Sequence, residues 1–319
     1  MLLSVRNLIK DFPRGKNFWG RSAYFSRAVD QVSLEIGRGE IVGLVGESGC
    51  GKSTLGREML ALTPLTSGEV FWNGENISSL GKNDLRLRRK NFQMVFQNPQ
   101  TALNPRHRIL KVLTEPLRVL ENGRSGESKK LAVQILEKVG MRADDLSKYP
   151  HEFSGGQRQR IGLARAMVLQ PQLIVLDEPL SALDLSVQAS VLNLLMKLNR
   201  EEKTAYFFIS HDLNVVGYMS QRILVMYLGR IVEAGETTKV LKNPRHPYTQ
   251  ALLQTLRSKE TRLKGEAPTW VARPRGCVFH TRCAFAEEKC EIQAPELLEV
   301  KPGWKVACWK VDGVSSLRR

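Results

Sequence analysis

The 319 residues predict an α/β fold: a mainly parallel sheet, a helical insert and a small irregular C-terminal appendage. Three observations carry that expectation. Apolar, β-rich runs alternate with segments of helical period. The stretch from about 101 to 157 interrupts them with helix alone. From about 241 Pro and turn residues multiply while the alternation fades.

In chain order, EIVGLVG (40–46), LIVLDEP (173–179), TAYFFIS (204–210) and RILVMYLGRIVEAG (222–235) read as strands. Several are apolar without interruption, as strands buried on both faces are. Between them KSTLGREMLAL, SKKLAVQILEKVG, GQRQRIGLARAMVLQ and LSVQASVLNLLMKLNREE repeat their apolar residues with the period of a helix. Pro244, Pro247, Pro268, Pro274, Pro295 and Pro302 punctuate the tail. Residues 1–240 are therefore expected as one domain, with the helical subdomain at about 101–157, and 241–319 as an extension. The chain carries no internal repeat and no low-complexity tract.

Hydrophobic residues make up 42% and charged residues 25%, an ordinary composition for a chain that buries a core. No apolar run is long enough to span a membrane, and MLLSVRNLIKDF lacks the features of a signal peptide, which places the protein in a reducing cytosol. The formal net charge of +16 calls for a polyanionic partner (nucleic acid, anionic lipid or nucleotide phosphates) or a surface that tolerates the charge, and charge alone does not choose. The local concentrations at Arg86, Arg88, Arg89 and Lys90, and at Arg106 and Arg108, read equally as solvated basic faces. The aromatic-interleaved basic pattern of an RNA-reading module is missing, so nucleic acid is not expected as a partner.

The chemistry begins with GESGCGKST: Gly46, Glu47, Ser48, Gly49, Cys50, Gly51, Lys52, Ser53 and Thr54. It fits G-x-x-x-x-G-K-[ST] and leaves an apolar strand to enter a helix, where backbone N–H groups and the positive helix terminus hold phosphates. Gly46, Gly49 and Gly51 let the backbone approach the anion, Lys52 neutralises its charge and the Ser53 hydroxyl is placed to ligate Mg²⁺. Cys50 lies where backbone groups do the binding, and its thiol is assigned no role.

In LIVLDEP, an apolar strand ends in two carboxylates, which is costly unless a cation meets them. Here that cation would be Mg²⁺ held through Asp177, with Glu178 polarising the attacking water as general base; taken alone the pattern also reads as a solvated strand end, and the 46–54 loop upstream is what strengthens it. In FSGGQRQRIGLARA, Ser154, Gly155 and Gly156 precede a helix starting near Gln157, a second anion site. One nucleotide does not need two such sites in one chain.

That segment resembles the signature sequence of ABC transporter ATPases. In that family two subunits pack head to tail, each signature facing the γ-phosphate held by the other subunit. The rest of the set is present in order. Gln97 in VFQNP matches the glutamine that senses Mg²⁺ and the permease. Ser181 to Asp184 match the D-loop, and His211 in FFISHD matches the switch histidine that contacts the γ-phosphate. Phe12 is the best match to the aromatic residue stacked on adenine, with Tyr24 as a rival. The family usually has Leu where this chain has Phe153; both are apolar. Taken singly, His211 reads as a surface histidine and Gln97 as a turn residue; their fixed order with the other motifs argues otherwise.

The resemblance implies a P-loop ABC ATPase fold: a RecA-like core with an antiparallel β subdomain and a helical subdomain. It implies an ATPase whose dimer closes on two nucleotides and drives membrane partners. Related ATPases of DNA repair carry coiled coils or zinc-bearing insertions, and those of translation carry two cassettes; this chain shows neither pattern. NPRHPYTQALL (243–253) and the cysteine-bearing tail resemble the ATPase subunits of dipeptide and oligopeptide importers. Importers for nickel and other small solutes are the alternative. The partners so implied are a second ATPase, generally a paralogue, two transmembrane permease subunits and an extracytoplasmic peptide-binding protein. The chain itself would sit peripherally on the cytoplasmic face of the membrane.

Cys277, Cys283, Cys290 and Cys308 crowd the tail, whereas Cys50 is the one cysteine before them. A reducing cytosol argues against two disulfides. Four thiolates suit tetrahedral Zn²⁺ or an iron–sulfur cluster. The spacings C-x₅-C, C-x₆-C and C-x₁₇-C lack the tight pair usual in zinc sites, yet chemistry alone leaves the two metals level. Peptide-importer ATPases of the type resembled carry a [4Fe–4S] cluster on such cysteines. Phe279, Trp304 and Trp309 could shield it or simply pack, and His280 is an outside candidate ligand. With few apolar residues, the tail would be marginal without a cross-link, so a structural task is the conservative expectation.

Overall fold

The structure, a computed structural model, describes residues 1–16, 22–97, 103–120, 125–181, 183–257, 268 and 273–311. Its contacts divide the chain into two compact units. One holds Met1–Leu2, Ile36–Ile41 and Ser79–Ile209, the other Leu3–Glu35, Val42–Ser78 and Ser210–Arg319.

The second of these contains an antiparallel sheet of order β2-β1-β4-β5, with β1 at Leu3–Lys16, β2 at Ser22–Ile36, β4 at Ser67–Trp72 and β5 at Glu75–Asn76. β1 pairs with β4 from Leu3 opposite Trp72 to Ile9 opposite Ser67, with a slip after Arg6. A second set of strands runs β3 (Ile41–Val45), β9 (Arg222–Tyr227), β10 (Arg230–Glu236), β12 (Trp304–Val306) and β11 (Leu298–Lys301). β3 and β9 are parallel, with Leu44 opposite Leu224. The run 222–235 divides into the β9–β10 hairpin because Leu228 and Gly229 take φ of 40° and 78°, the two positive values a type I′ turn requires.

The tail expected to be irregular instead forms the β11–β12 hairpin, and β12 continues the ladder on β10 through Glu233 opposite Val306 and Ala234 opposite Lys305. An unpaired β10 edge would expose a row of backbone donors and acceptors, and β12 covers it. The tail also contributes Val278, Phe279, Trp304 and Val306 to the buried core, more apolar packing than its composition suggested.

In the other unit β6 (Phe92–Val95), β7 (Leu173–Asp177) and β8 (Ala205–Ser210) are parallel, with Phe92, Leu173 and Ala205 in register. Every residue of β7 and β8 is buried, which is why their sequences are apolar without alternation. Helices Ile109–Leu120, Ser125–Lys138, Gly155–Met167 and Leu185–Glu202 accompany them. Ile109, Val112, Leu113 and Leu117, spaced three and four apart, form the buried face of the first. Among the described residues no helix is long and apolar enough to cross a membrane.

Candidate functional site

The motifs fall in both units. In the unit that contains β3, the buried strand delivers the chain to residues 46–51 and then to the helix Lys52–Met59. The three glycines of the loop divide their work. A Cβ on Gly46 would lie 2.2 Å from the Met226 carbonyl oxygen, and one on Gly51 2.2 Å from that of Ala28. These two are glycine because protein backbone approaches them. Gly49 has φ 78° and nothing within 4 Å of its Cβ position, so it faces open space, not neighbouring backbone.

Lys52 is 4% exposed, and its ammonium donates to the carbonyls of Gly46 at 2.7 Å and Glu47 at 3.0 Å. Burial pushes the Cys50 thiol up to about 11, which keeps it protonated at neutral pH. Ser48 is exposed; Ser53 and Thr54, in the first helical turn, are half-buried.

Glu47 is held at both ends. Its backbone N–H donates to the Tyr248 hydroxyl at 2.9 Å, and its carboxylate accepts from the two terminal nitrogens of Arg282 at 2.7 and 3.1 Å. Sequence reasoning missed Arg282 and Tyr248 as loop contacts. No local pattern links position 47 to partners 201 and 235 residues away.

His211 follows β8 and is exposed; Asp212 after it caps the helix Leu213–Met219 by accepting from the Asn214 N–H at 2.8 Å. Phe12 is 38% exposed, with the Lys10 ammonium 5.3 Å from its ring centre. The Tyr24 side chain lies outside the described residues.

In the unit that contains β7, Asp177 ends the strand at 1% exposure and Glu178 follows with φ 46°, a strained value for a residue with a side chain. The Glu178 N–H donates to the Ile209 carbonyl at 3.0 Å, holding the turn against the end of β8. The Gln97 carboxamide donates to the Glu178 carboxylate at 3.1 Å, bringing together two residues 81 positions apart. A carboxylate so placed is oriented to accept a proton from water.

The helix that follows Phe153 begins at Gly155, two residues before its expected start. The Ser154 hydroxyl accepts from the Gln157 N–H at 3.3 Å, and the Gln157 side chain accepts from the Ser154 N–H at 2.9 Å, a capping box. A Cβ on Gly156 would lie 2.4 Å from the Val187 side chain, so this glycine lets helices Gly155–Met167 and Leu185–Glu202 meet. Asp184 caps the latter by accepting from the Val187 N–H at 2.9 Å, and these bonds hold its carboxyl below the usual range. Ser154, Gln157 and Asp184 are exposed, as is Leu185.

Cys277, Cys283, Cys290 and Cys308 line one pocket in the tail, with Phe279 and Trp309. Burial pushes the Cys277 thiol up to about 11, and the other three cysteines add repulsion, so the groups are close enough to sense one another. Trp304 instead turns its indole N–H to Glu233 at 2.9 Å. His280 lines the pocket too, with Nδ1 2.9 Å from the Cys277 carbonyl oxygen. Among the described residues no group of three or more His, Cys, Asp or Glu side chains is arranged to hold a metal ion.

Residues 29–181 match the family described as ABC transporter, and residues 232–290 match the oligopeptide/dipeptide transporter C-terminal region. The oligopeptide transport ATP-binding protein AppF of Bacillus subtilis (strain 168) is 45% identical over 317 residues, covering 96% of each chain. The dipeptide transport ATP-binding protein DppF of Haemophilus influenzae is 44% identical over 318 residues, covering 98% of this chain and 97% of its own. Among solved structures, a dimeric ATP-binding cassette in a post-hydrolysis state bound to ADP and Pi aligns with a TM-score of 0.66 at 28% identity, over 74% of this chain and 99% of its own.

Proposed function

We propose, for a chain that belongs to the ABC transporter family in its oligopeptide and dipeptide branch, that it hydrolyses ATP to power import of dipeptides or oligopeptides through a membrane permease. The end-to-end likeness to peptide-transport ATP-binding proteins carries this reading. It includes the 232–290 region, which favours peptide over nickel or another small solute.

Each residue has a part. Backbone N–H groups from Gly46 to Thr54 cradle the phosphates, and Lys52 exchanges its carbonyl partners for phosphate oxygens. Phe12 stacks on adenine. Ser53, Asp177 and Gln97 are the residues that would hold Mg²⁺, which would supply charge neutralisation on the phosphates. Glu178, held by Gln97, takes the proton of the attacking water, and His211 contacts the γ-phosphate. Ser154, Gly155, Gly156, Gln157 and Asp184 complete the site of a second ATPase subunit. Exposure of Ser154, Gln157 and Asp184, beside exposed Leu185, supports that assignment.

The second subunit is read as a paralogue, the permease as two transmembrane subunits supplied by a peptide-binding protein, and the chain as peripheral on the cytoplasmic face. Residues 1–240 form the ATPase cassette and 241–319 the transporter extension.

The four-cysteine pocket is read as the seat of a [4Fe–4S] cluster rather than Zn²⁺. Convergence of four thiols on one pocket beside Phe279 supports a metal ligand set. Such a group, bound by Cys277, Cys283, Cys290 and Cys308, would tie the tail together.

Anaerobic co-purification with the membrane partners, an ATPase assay with candidate peptides and their binding protein, and iron and sulfide analysis of the same sample test the reading. ATP turnover stimulated by peptide-loaded binding protein is expected. Stimulation by nickel instead of peptide overturns the substrate assignment, and absence of iron and sulfide overturns the cluster.

A further inference from the structure

A loop that binds phosphate through its backbone works only if that backbone is held to within about half an ångström of the productive shape. Glu47, in the 46–51 loop, is held by the rest of its unit at its backbone and at its side chain. Its N–H donates to Tyr248, its carboxylate receives both arms of Arg282, and its carbonyl receives the Lys52 ammonium. The Arg282 pairing is fork to fork, so it fixes orientation as well as distance, and the Arg282 side chain is only 6% exposed.

Arg282 is itself held. It donates to the Tyr227 hydroxyl at 3.3 Å, and Phe279 packs on Tyr227 and Tyr248 with ring centres 5.2 and 5.3 Å away. It ends the short turn His280–Arg282. The His280 N–H donates to the Cys277 carbonyl at 3.1 Å, the Cys283 N–H donates to the His280 carbonyl at 3.2 Å, and the Cys277 N–H donates to the Cys290 carbonyl at 2.7 Å. The guanidinium that grips the loop is therefore built on the backbone that carries the thiol pocket.

We infer that Arg282 is a positioning residue for the nucleotide loop: its paired hydrogen bonds to Glu47 hold residues 46–51 in shape for phosphate, so the turn between Cys277 and Cys283 sets nucleotide affinity. The inference rests on the reading of 46–54 as the nucleotide loop. Because coupling between two sites is reciprocal, nucleotide in the loop steadies the turn as much as the turn steadies the loop.

The full-length chain tests this with a fluorescent ATP analogue for binding and steady-state hydrolysis for the division between KM and kcat. Arg282→Gln is expected to raise Kd and KM about tenfold and leave kcat within about twofold. Arg282→Lys, which keeps charge but loses the fork, recovers part of the affinity. Glu47→Gln matches Arg282→Gln, and the double variant is no weaker than either single one. Unchanged KM in Arg282→Gln, or additive losses in the double variant, overturns the inference.

Should Arg282→Gln not fold, Tyr248→Phe removes only the hydroxyl that receives the Glu47 N–H, and it carries the same expectation and the same refutation. Hydrogen exchange over residues 277–283 supplies a readout apart from turnover. A non-hydrolysable ATP analogue should slow exchange several-fold in the wild type and not in Arg282→Gln; equal protection in both overturns the coupling. A wild-type chain that binds no ATP overturns the reading of the loop itself, whereas binding indifferent to Arg282→Gln overturns this inference alone.

Discussion

Arg273 reaches back 243 positions to Asp30, its terminal nitrogen 2.7 Å from the carboxylate. Asp30 is 4% exposed and also receives Arg230 at 2.5 Å and Arg27 at 3.2 Å. Burial alone would raise the Asp30 carboxyl; Arg273, Arg230 and Arg27 outweigh it and hold the group below its ordinary value. The cluster fastens the chain after residue 273 to β2.

Asp30→Asn should therefore destabilise the fold by about 3 kcal/mol, since it leaves guanidinium groups without their buried counter-charge. The wild-type contribution is present above the unfolded carboxylate pKa of about 4 and is lost as pH falls through the lower folded value. The variant should lose that part of the acid-range slope in denaturant unfolding. Equal stability of the two proteins at neutral pH would show that the arginines contribute nothing through Asp30.

Glu233 ties three segments together. Fully buried, it accepts from the backbone N–H groups of Arg245 at 2.9 Å and His246 at 3.0 Å, and from the Trp304 indole at 2.9 Å. Glu233→Ala strands those donors and should cost about 3 kcal/mol. Limited proteolysis should then cut the tail first, and a digestion pattern identical to the wild type would refute this.

Glu178→Gln should lower ATP turnover at least about a hundredfold while ATP binding is retained, because the base is lost but the loop is intact. The same change should trap a closed dimer, read by size-exclusion chromatography with ATP. Near-normal hydrolysis removes Glu178 from the base role.

Gly51→Ala and Gly49→Ala should part company. The first places a methyl 2.2 Å from the Ala28 carbonyl at φ 108°, a clash with backbone that cannot give, and nucleotide binding should vanish together with about 3 kcal/mol of stability. The second meets nothing at φ 78° and should cost stability only about 1 kcal/mol. Thermal melts and nucleotide titration read both, and equal melting temperatures for the two variants would refute the distinction.

The buried parallel strands were legible in the sequence because burial on both faces removes polar residues from them, as in β7 and β8. The 46–54 loop and the 173–178 strand end were legible because their chemistry is local. β12 was not, since three residues with Lys305 at their centre carry no period to read, and they become a strand by pairing with β10. The separate tasks of Gly46, Gly49 and Gly51 depend on Met226 and Ala28, which are distant in sequence. The Gln97–Glu178 bond and the Arg282 grip on Glu47 are likewise products of the fold.

Glu178 occupies a left-handed backbone conformation, φ 46°, that Gly or Asn adopts with less strain. The carboxylate is thus kept against the preference of its own main chain, at a penalty on the order of 1 kcal/mol. A screen for thermal resilience that ignores turnover would drift toward Gly or Asn at this position, while growth dependent on imported nutrient would hold the carboxylate in place.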